Sequence, residues 1–379
     1  MKNKFNIPFH RPHITQEEID SVSDIMGSGW LTMGPKTIEF ENAFKDYIGS
    51  KYAISLNSAT AALHLALIAV GVKKDDEVII PTNTFIATAE AVAYLGAIPI
   101  LCDIESNYHN INVKLIESKI TSKTKAIIPV HFGGHPCEMN EIFNIAKKYD
   151  LKIVEDAAHA LPSSYRKYKI GTLSDAVCFS FYATKTLATG EGGMVTTQNK
   201  DIAEKVKLLR IHGINCDAWK RNEKDGDWFY EVIELGYKYN ITDIQSAIGL
   251  IQLKKLQWMR DERKKIAEKY KLAFKGKLQF ILENDQMDPS FHLFVIKIRN
   301  RDKLYEKLKE NGICTSVHFI PVHKHPYYKE NYSYKNEDYP IANIIYEQSL
   351  SLPIYPGMND VEINYIIKNV LEYAEVNNL

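Results

Sequence analysis

Apolar runs of strand length alternate with amphipathic runs of helical length along the first half of the chain, from about Lys51 to Lys200. This alternation favours a mostly parallel β-sheet with helices on both faces. The paired strand-like and helix-like runs, in chain order, are KYAISLN and ATAALHLALIAVGV, DEVIIPT and FIATAEAVAYLGA, IPILCDI and NVKLIESKI, KAIIPVH and MNEIFNIAKKYD, and then LKIVEDAA followed by AVCFSFY. The pattern therefore predicts an α/β domain.

The hydrophobic pattern changes in the second half of the chain. Residues 214–240 are polar and aromatic without clear periodicity, which indicates an ordered loop or hairpin near a site. Residues 241–274 then keep helical spacing over a length sufficient to connect two domains. The runs that follow are typical of a small α+β domain. We therefore predict an N-terminal arm and large domain in residues 1–250, and a connecting helix and small C-terminal domain in residues 251–379.

The composition is that of an ordinary soluble protein of 379 residues, with 47 basic residues balancing 47 acidic ones. This neutrality argues against nucleic acid or an anionic membrane as the main partner. The longest apolar run, AVAYLGAIPILC, is too short to span a bilayer, and the first residues lack the apolar core of a signal peptide, so we expect a cytoplasmic protein. Five cysteines without a CxxC pair indicate reduced, mostly buried thiols.

Residues after the predicted strands are the first candidates for chemistry, because open α/β sheets bind ligands outside the carboxyl ends of their strands. Ser58, Ala59 and Thr60 begin a helix after KYAISLN, where free N–H groups favour a phosphate, although a plain N-cap is the simpler explanation of this motif taken alone. Phe85 follows the next strand. An aromatic residue there usually belongs to the core, but it could stack on a planar ring.

Two later strands end in charged residues. Asp156 ends the run LKIVED, and a buried carboxylate needs a partner. His159 follows closely, and Ser180 and Lys185 come after the next apolar strand; a lysine in such a loop is most often a surface charge. Together these groups match the needs of pyridoxal 5'-phosphate. This cofactor needs groups that anchor its phosphate, a lysine that bonds to its aldehyde, and an aspartate that keeps its pyridine nitrogen protonated.

The same residues lie in motifs that resemble the DegT/DnrJ/EryC1 family of sugar aminotransferases over nearly the whole chain. These motifs are GSGWLTMGPKTIEFE, LNSATAALHLAL, DEVIIPTNTFIATA, PVHFGGHPCEM, VEDAAHA, FSFYATKTLATGEGGMV, GYKYNITDIQSAIGL and SVHFIPVHKHPYY. The resemblance implies the type I fold of pyridoxal-phosphate enzymes, a mostly parallel mixed sheet between helices with a smaller C-terminal α+β domain. It also implies a homodimer with shared active sites, glutamate as amino donor, a nucleotide-linked keto sugar as acceptor, and pyridoxamine phosphate during turnover.

The resemblance implies a role for each matched residue. Lys185 would bond to the cofactor and Asp156 would partner its ring nitrogen. Phe85 would stack on the ring, and the phosphate would be held by Ala59, Thr60 and Ser180, with Asn240 reaching the phosphate of the neighbouring subunit's site. His159 stands where many relatives acting at C-3 carry glutamine, and it is similar to the enzymes that aminate C-4 of UDP-sugars. We expect it to bring an ionisable ring to the site.

Several further residues are weaker candidates for substrate binding. Trp30 and Thr32 lie in GWLTMGP, which the resemblance makes part of the active-site entrance. Lys220 and Arg221 could bind a diphosphate, or simply form a solvated surface. His318 and His323 lie in SVHFIPVHKHP, which lacks neighbouring carboxylate or cysteine ligands, so we predict a sugar-binding or structural role rather than a metal site. The GEGG run is interpreted as a tight turn.

The sequence thus predicts amination at C-4 of a UDP- or dTDP-linked 4-keto-6-deoxy sugar or 4-keto pentose, for polysaccharide, lipopolysaccharide or other glycan biosynthesis. Three alternatives stay open. The enzyme could aminate C-3 of a dTDP-linked 3-keto sugar. It could dehydrate the sugar, although the relatives that do so carry histidine in place of Lys185. It could be a non-catalytic regulator, against which the complete set of Lys185, Asp156 and Phe85 argues.

Overall fold

The computed structural model describes residues 5–215, 229–283 and 285–374. Its α-helices, α1 to α12 in chain order, are Gln16–Ser28, Pro35–Ile48, Ala59–Ala69, Ala87–Ala93, Val113–Ile116, Met139–Tyr149, Lys200–Leu209, Asp243–Phe274, Arg301–Glu310, Pro326–Tyr332, Pro340–Gln348 and Asp360–Tyr373. Its strands, β1 to β13, are Tyr52–Leu56, Glu77–Pro81, Ile98–Cys102, Thr124–Ile127, Lys152–Asp156, Ser164–Tyr165, Tyr168–Lys169, Ala176–Ser180, Gly193–Thr197, Gln279–Phe280, Met287–Asp288, Phe294–Lys297 and Ser349–Leu352.

A seven-stranded sheet in the order β1-β9-β8-β5-β4-β2-β3 forms the centre of the larger part of the molecule. The five neighbours from β8 to β3 pair in parallel. Strand β9 runs antiparallel to both β1 and β8. The predicted mostly parallel mixed sheet is confirmed.

The two faces of this sheet carry separate apolar cores, as the alternation of side chains along a strand requires. In β2, Val78 and Ile80 face the core formed with α3, α4 and α7, whereas Ile79 faces the core formed with α2, α6 and the first half of α8. Both faces are therefore covered by helices. This explains why the strands read as continuous apolar runs.

A second sheet, β10-β12-β13, packs with α9, α12 and the last part of α8 around a third core. Helix α8 continues without a break through residue 250. The N-terminal arm also joins this core, because Ile7 is buried there and pairs with Ile313. Conversely, Tyr328 and Tyr339 pack into the core of the large sheet. The division at residue 250 stays a prediction.

The irregular stretch predicted as a loop or hairpin is described only at its two flanks. Residues 211 and 214 form antiparallel bridges with residues 238 and 232. Among the described cysteines, Cys102, Cys137 and Cys178 are buried and Cys314 is exposed, all as free thiols. Within the described ranges, no helix has both the length and the apolar character needed to cross a membrane.

Candidate active site

The carboxyl ends of β1, β2, β5 and β8 open onto a cavity of about 580 Å³. This is the edge at which open α/β sheets bind ligands. The cavity is lined by Phe9, Ser58, Ala59, Thr60, Leu63, Thr84, Phe85, Ala87, Val130, Asp156, Ala158, His159, Ser180, Tyr182, Thr184, Lys185, Glu191, Gly192, His292, Ser316, His318 and Phe319. Most of the residues predicted to hold the cofactor are therefore brought together.

One end of the cavity is the N-terminus of helix α3. Ser58 is its N-cap, and its hydroxyl oxygen accepts a hydrogen bond from the Ala61 amide at 3.1 Å. The amides of Ala59 and Thr60 belong to the first turn, where a helix provides no acceptors of its own. Such a terminus attracts an anion through its N–H groups and dipole. The residues fit a phosphate, and Ser58 both caps the helix and lines the cavity.

Gly193 at the start of β9 allows the sheet to approach this helix end closely. A Cβ atom on Gly193 would lie 2.4 Å from the Ser58 carbonyl oxygen and 2.7 Å from the Ala59 nitrogen. No side chain fits at these distances. The GEGG run thus serves backbone geometry, as interpreted from the sequence, and one of its glycines lies directly against the N-terminus of α3.

Asp156 lies buried at the end of β5 and turns its carboxylate to the cavity. Its Oδ2 accepts a hydrogen bond from the Thr88 hydroxyl at 2.7 Å, and its Oδ1 accepts one from the Ala158 amide at 3.1 Å. Burial raises the pKa of this carboxyl, while the two hydrogen bonds and the charge of Lys185 act in the opposite direction. A protonated ring nitrogen placed here would meet a carboxylate that is already oriented.

Lys185 lies half-buried in the loop that follows β8. Burial lowers the pKa of its amine from 10.5 to about 8, and the nearby Asp156 charge opposes this shift. A large fraction of the amine is therefore neutral near that pH. Only a neutral amine can attack an aldehyde or accept a proton, so the environment suits a nucleophile and general base.

Phe85 extends its ring at the cavity with 58 % of its surface exposed. An aromatic ring this exposed does not belong to the core, so the alternative of a core residue, which the sequence analysis raised, does not apply to Phe85. Its centroid lies 5.8 Å from that of Phe319, which lines the same cavity. Ser180 completes this group, and its hydroxyl oxygen accepts a hydrogen bond from the Tyr182 amide at 3.3 Å.

His159 is buried at the cavity wall, and its Nδ1 accepts a hydrogen bond from the Gly133 amide at 3.2 Å. Burial, with the nearby Lys185 and His318, holds the pKa of the ring well below its ordinary value. The expectation that His159 brings an ionisable ring to the site is therefore wrong in this environment. The ring is neutral, and since Nδ1 is an acceptor, its proton is on Nε2.

The part of the chain beyond α8 supplies a wall that the sequence did not predict. His292 lies buried with its ring centroid 4.3 Å from that of His159. Beside it, His318 lines the cavity, and its Nδ1 lies 2.9 Å from the Ser351 hydroxyl, so both the sugar-binding and the structural role stay open for it. The arm adds Phe9. The role of Thr88 beside Asp156 could have been predicted, because Thr88 lies one helical turn after Phe85. No local sequence pattern predicts that His292 and Phe9 line the cavity.

Other predicted residues lie away from the cavity. His323 is fully buried, and its two ring nitrogens lie 2.6 Å from the Thr82 hydroxyl and 3.0 Å from the Asn343 side-chain oxygen. These contacts give His323 a structural role, which is one of the two roles that the sequence analysis left open for it. Asn240 donates to the Ile241 carbonyl and does not line the cavity of its own subunit. Lys220 and Arg221 lie outside the described residues.

The GWLTMGP segment forms the entry to helix α2. Trp30 donates from Nε1 to the Met33 carbonyl at 3.3 Å, and the Thr32 carbonyl accepts from the Asp243 amide at 3.2 Å. Asp243 in turn accepts hydrogen bonds from the Gly34 and Thr37 amides. In the described structure this segment is a cap for α2 held by α8, and neither Trp30 nor Thr32 lines the cavity.

Comparisons with known proteins agree with this geometry. Residues 12–371 match the model of the DegT/DnrJ/EryC1/StrS aminotransferase family. The spore coat polysaccharide biosynthesis protein SpsC of Bacillus subtilis is 44% identical, with 99% of this chain and 98% of that protein covered.

Two solved structures show a similar fold over nearly their full length. Spr1654 of Streptococcus pneumoniae, a sugar aminotransferase by its name, is 33% identical in its PMP form, with a TM-score of 0.92 and 98% of this chain and 99% of that chain covered. It is also known in a PLP form. PseC of Helicobacter pylori, an aminotransferase involved in the biosynthesis of pseudoaminic acid, is 30% identical, with a TM-score of 0.90 and 98% and 100% of the two chains covered.

Proposed function

Because the chain belongs to the DegT/DnrJ/EryC1/StrS aminotransferase family, we propose that it transfers an amino group from glutamate to C-4 of a nucleotide-linked keto sugar. The chain is a sugar aminotransferase that depends on pyridoxal phosphate, as the family and its structural neighbours show. The predicted family, fold and cofactor are confirmed.

The observation that carries the proposal is the single cavity that contains Lys185, Asp156, Phe85 and the N-terminus of α3. The first amides of α3 and Ser180 would hold the cofactor phosphate, Phe85 would lie against its ring, and Asp156 would hold its ring nitrogen. When bound, the cofactor would supply the aldehyde carbon that takes up the amino group in place of its oxygen, and a ring that withdraws electrons from the reacting carbon.

Lys185 would both bond to the cofactor and move protons. Its amine has a pKa lowered to about 8, so Nζ can accept the Cα proton of the donor and later release it. The neutral His159, with its proton on Nε2, offers a hydrogen-bond donor at the wall and no charge.

The position of amination rests on His159. Relatives that aminate C-4 resemble this chain there, whereas many that act at C-3 carry glutamine. Since the ring is neutral in its environment, the difference between histidine and glutamine is one of shape and hydrogen bonding rather than of charge. The names of two similar proteins, a spore coat polysaccharide protein and a pseudoaminic acid enzyme, support a product made for a glycan.

We further propose a homodimer in which Asn240 completes the site of the other subunit. Asn240 lies in the segment that follows the described hairpin flank and does not line its own cavity. On that flank, Val232, Ile233 and Leu235 expose 62%, 64% and 85% of their surfaces. Adjacent apolar side chains this exposed are typical of a surface that another protein covers. A second copy of the chain is the occupant that this proposal requires.

Purified protein incubated with glutamate and matched 3-keto and 4-keto sugars, each linked to UDP or dTDP, tests the proposal. We expect one 2-oxoglutarate per aminated sugar, with NMR placing the nitrogen on C-4. The Lys185→Ala variant should lose turnover, since no other amine lines the cavity among the described residues. Faster amination at C-3 would contradict the position. Loss of a sugar hydroxyl without matching consumption of glutamate would indicate a dehydratase.

A further inference from the structure

A buried histidine–glutamate pair lies under the floor of the cavity and takes no part in lining it. His131 Nε2 lies 2.7 Å from Glu155 Oε2, and the two side chains expose 0% and 3% of their surfaces. Within the described ranges, no lysine or arginine lies within ion-pair distance of Glu155. A buried carboxylate without a cation needs a good hydrogen-bond donor, and His131 provides it.

The protonation of His131 follows from its other nitrogen. The Cys137 amide donates to His131 Nδ1 at 3.1 Å. A backbone N–H can only donate, so Nδ1 must carry a lone pair. The ring is therefore neutral with its proton on Nε2, and that proton is donated to the Glu155 carboxylate.

The loop of residues 131–137 links this pair to the cavity. Its Gly133 amide donates to His159 Nδ1 at 3.2 Å. The His131 amide donates to the Asp156 carbonyl at 3.2 Å, and the Asp156 amide donates to the Pro129 carbonyl at 2.9 Å. The loop thus contacts both Asp156 and His159 through its backbone.

The strand geometry explains why the pair itself stays out of the cavity. Glu155 and Asp156 are consecutive in β5, so their side chains point to opposite sides of the strand. Asp156 faces the cavity, and Glu155 faces the loop beneath it. Asn110 anchors other parts of the same loop through the Phe132 amide and the His135 carbonyl, each at 3.0 Å.

We propose that the His131–Glu155 pair is a positioning unit that holds the 131–137 loop, so that the Gly133 amide fixes His159 as the neutral Nε2–H tautomer. His159 then presents a donor, and never a lone pair, to the ligand of the cavity. Without this anchor the ring can turn over and adopt either tautomer. The consequence for catalysis rests on the proposed function, whereas the tautomer does not.

Side-chain NMR on the full-length protein loaded with pyridoxal phosphate and labelled with ¹⁵N-histidine tests the tautomers directly. In the unmodified protein, His131 and His159 should each show one lone-pair nitrogen at Nδ1 and one protonated nitrogen at Nε2, as the two backbone amides that donate to Nδ1 require. The signals are assigned from the spectra of variants in which one histidine at a time is replaced. A cationic ring at His131 or His159, or a proton on Nδ1 of His159, would overturn the proposal from the unmodified protein alone.

The paired variant His131→Phe/Glu155→Leu tests the positioning itself. Removing both polar groups together avoids a stranded buried charge, and such replacements are often tolerated. We expect His159 to lose its single tautomer and kcat to fall about tenfold with the KM for glutamate little changed, the usual size of effect for a residue that orients a catalytic group. Glu155→Gln keeps an acceptor for His131 and should preserve the His159 signals.

The matched control removes a different buried polar pair, the ion pair of Arg210 and Glu41, which lies under the same sheet and does not line the cavity. The variant Arg210→Met/Glu41→Leu should leave the His159 signals unchanged. A His159 tautomer that persists in His131→Phe/Glu155→Leu, or is lost equally in the control, would refute the positioning role. Failure of the proposed function alone would leave the NMR result standing, so the two outcomes are distinguishable.

Discussion

At the scale of single residues, the chemistry of the site depends on burial more than on residue type. Lys185 is an ordinary loop lysine in the sequence. In the structure its partial burial lowers the pKa of the amine to about 8, and the Asp156 charge opposes the shift. His159 shows the same principle, because burial keeps a potentially ionisable ring neutral. The sequence predicted that Lys185 and His159 belong to the site, but it did not predict their protonation states.

The pKa of Lys185 predicts how stability depends on pH. Because the folded-state pKa lies below the ordinary value of 10.5, charging Lys185 destabilises the cofactor-free protein below about pH 8, and this cost disappears as the pH rises from about 8 to 10.5. Lys185→Met should therefore raise the free energy of unfolding by about 1–2 kcal/mol near neutral pH, a figure reduced for solvent screening. Urea denaturation of the cofactor-free protein at several pH values measures it.

The control for this prediction is Lys254→Met, which changes an exposed lysine of α8. It should show no pH-dependent gain. A gain from Lys185→Met that stays constant up to about pH 10 would mean that the lost charge is not its cause.

Thr88 is the residue that orients Asp156. Thr88→Val removes the hydroxyl that donates to Oδ2 at 2.7 Å while keeping the shape of the side chain. We expect cofactor affinity to fall about tenfold, because a hydrogen bond to a charged group contributes about 1.5–3 kcal/mol and part of this orients Asp156. Titration of the cofactor-free protein with pyridoxal phosphate, followed by absorbance, gives the Kd.

Thr196→Val is the matched control, since it removes another buried hydroxyl, one that donates to the Gly171 carbonyl away from the cavity. Equal cofactor affinity in the Thr88→Val and unmodified proteins would exclude a role for Thr88 in holding Asp156.

At the scale of secondary-structure elements, helix α3 and strand β9 together form the proposed anion site. The helix presents its first amides at the carboxyl end of β1, and Gly193 brings β9 within contact of Ser58 and Ala59. The helix–strand order follows from the sequence pattern. The close approach depends on a glycine of one element meeting the terminus of another, so it can be judged only in three dimensions.

Gly193→Ala should damage this site specifically. The new Cβ would lie 2.4 Å from the Ser58 carbonyl oxygen, so the start of α3 must move. We expect at least a tenfold loss of affinity for pyridoxal phosphate, because a small displacement of bound groups has large effects in a preorganised site. Fluorescence or absorbance titration measures the affinity, and inorganic phosphate as a competitor reports on the anion site alone.

Gly27→Ala serves as the control, because Gly27 lies in helix α1 with nothing within 4 Å of the new methyl group. It should leave affinity unchanged and stabilise the helix by up to about 1 kcal/mol. Normal phosphate competition in Gly193→Ala would show that the helix terminus does not bind the anion.

At the scale of the whole molecule, the cavity is assembled from parts that lie far apart in the chain. Strand β5 supplies Asp156, the loop after β8 supplies Lys185, the region beyond α8 supplies His292 and His318, and the N-terminal arm supplies Phe9. The arm reaches this position because Ile7 pairs with Ile313 in the smaller core. Within one subunit the proposed phosphate contact of Asn240 is missing, which a homodimer would provide.

Mixed dimers test this arrangement. A Lys185→Ala subunit paired with an Asn240→Asp subunit contains one intact site if Asn240 acts across the interface, and none if it acts within its own subunit. The aspartate is chosen because its charge would repel the cofactor phosphate. Random pairing in equal amounts should restore about a quarter of the unmodified activity. Activity no higher than that of the two parent variants would contradict a shared site.

The sequence by itself determined the α/β class, the long helix α8 and the residues at the strand ends, including Lys185 and Asp156. These features depend on local periodicity and on motif spacing, which neighbouring residues in the chain define. Only the tertiary structure decided that His292 and Phe9 join the cavity, that His323 does not line it, and that His159 is neutral. Each of these depends on contacts between residues distant in the chain, and on the burial that those contacts create.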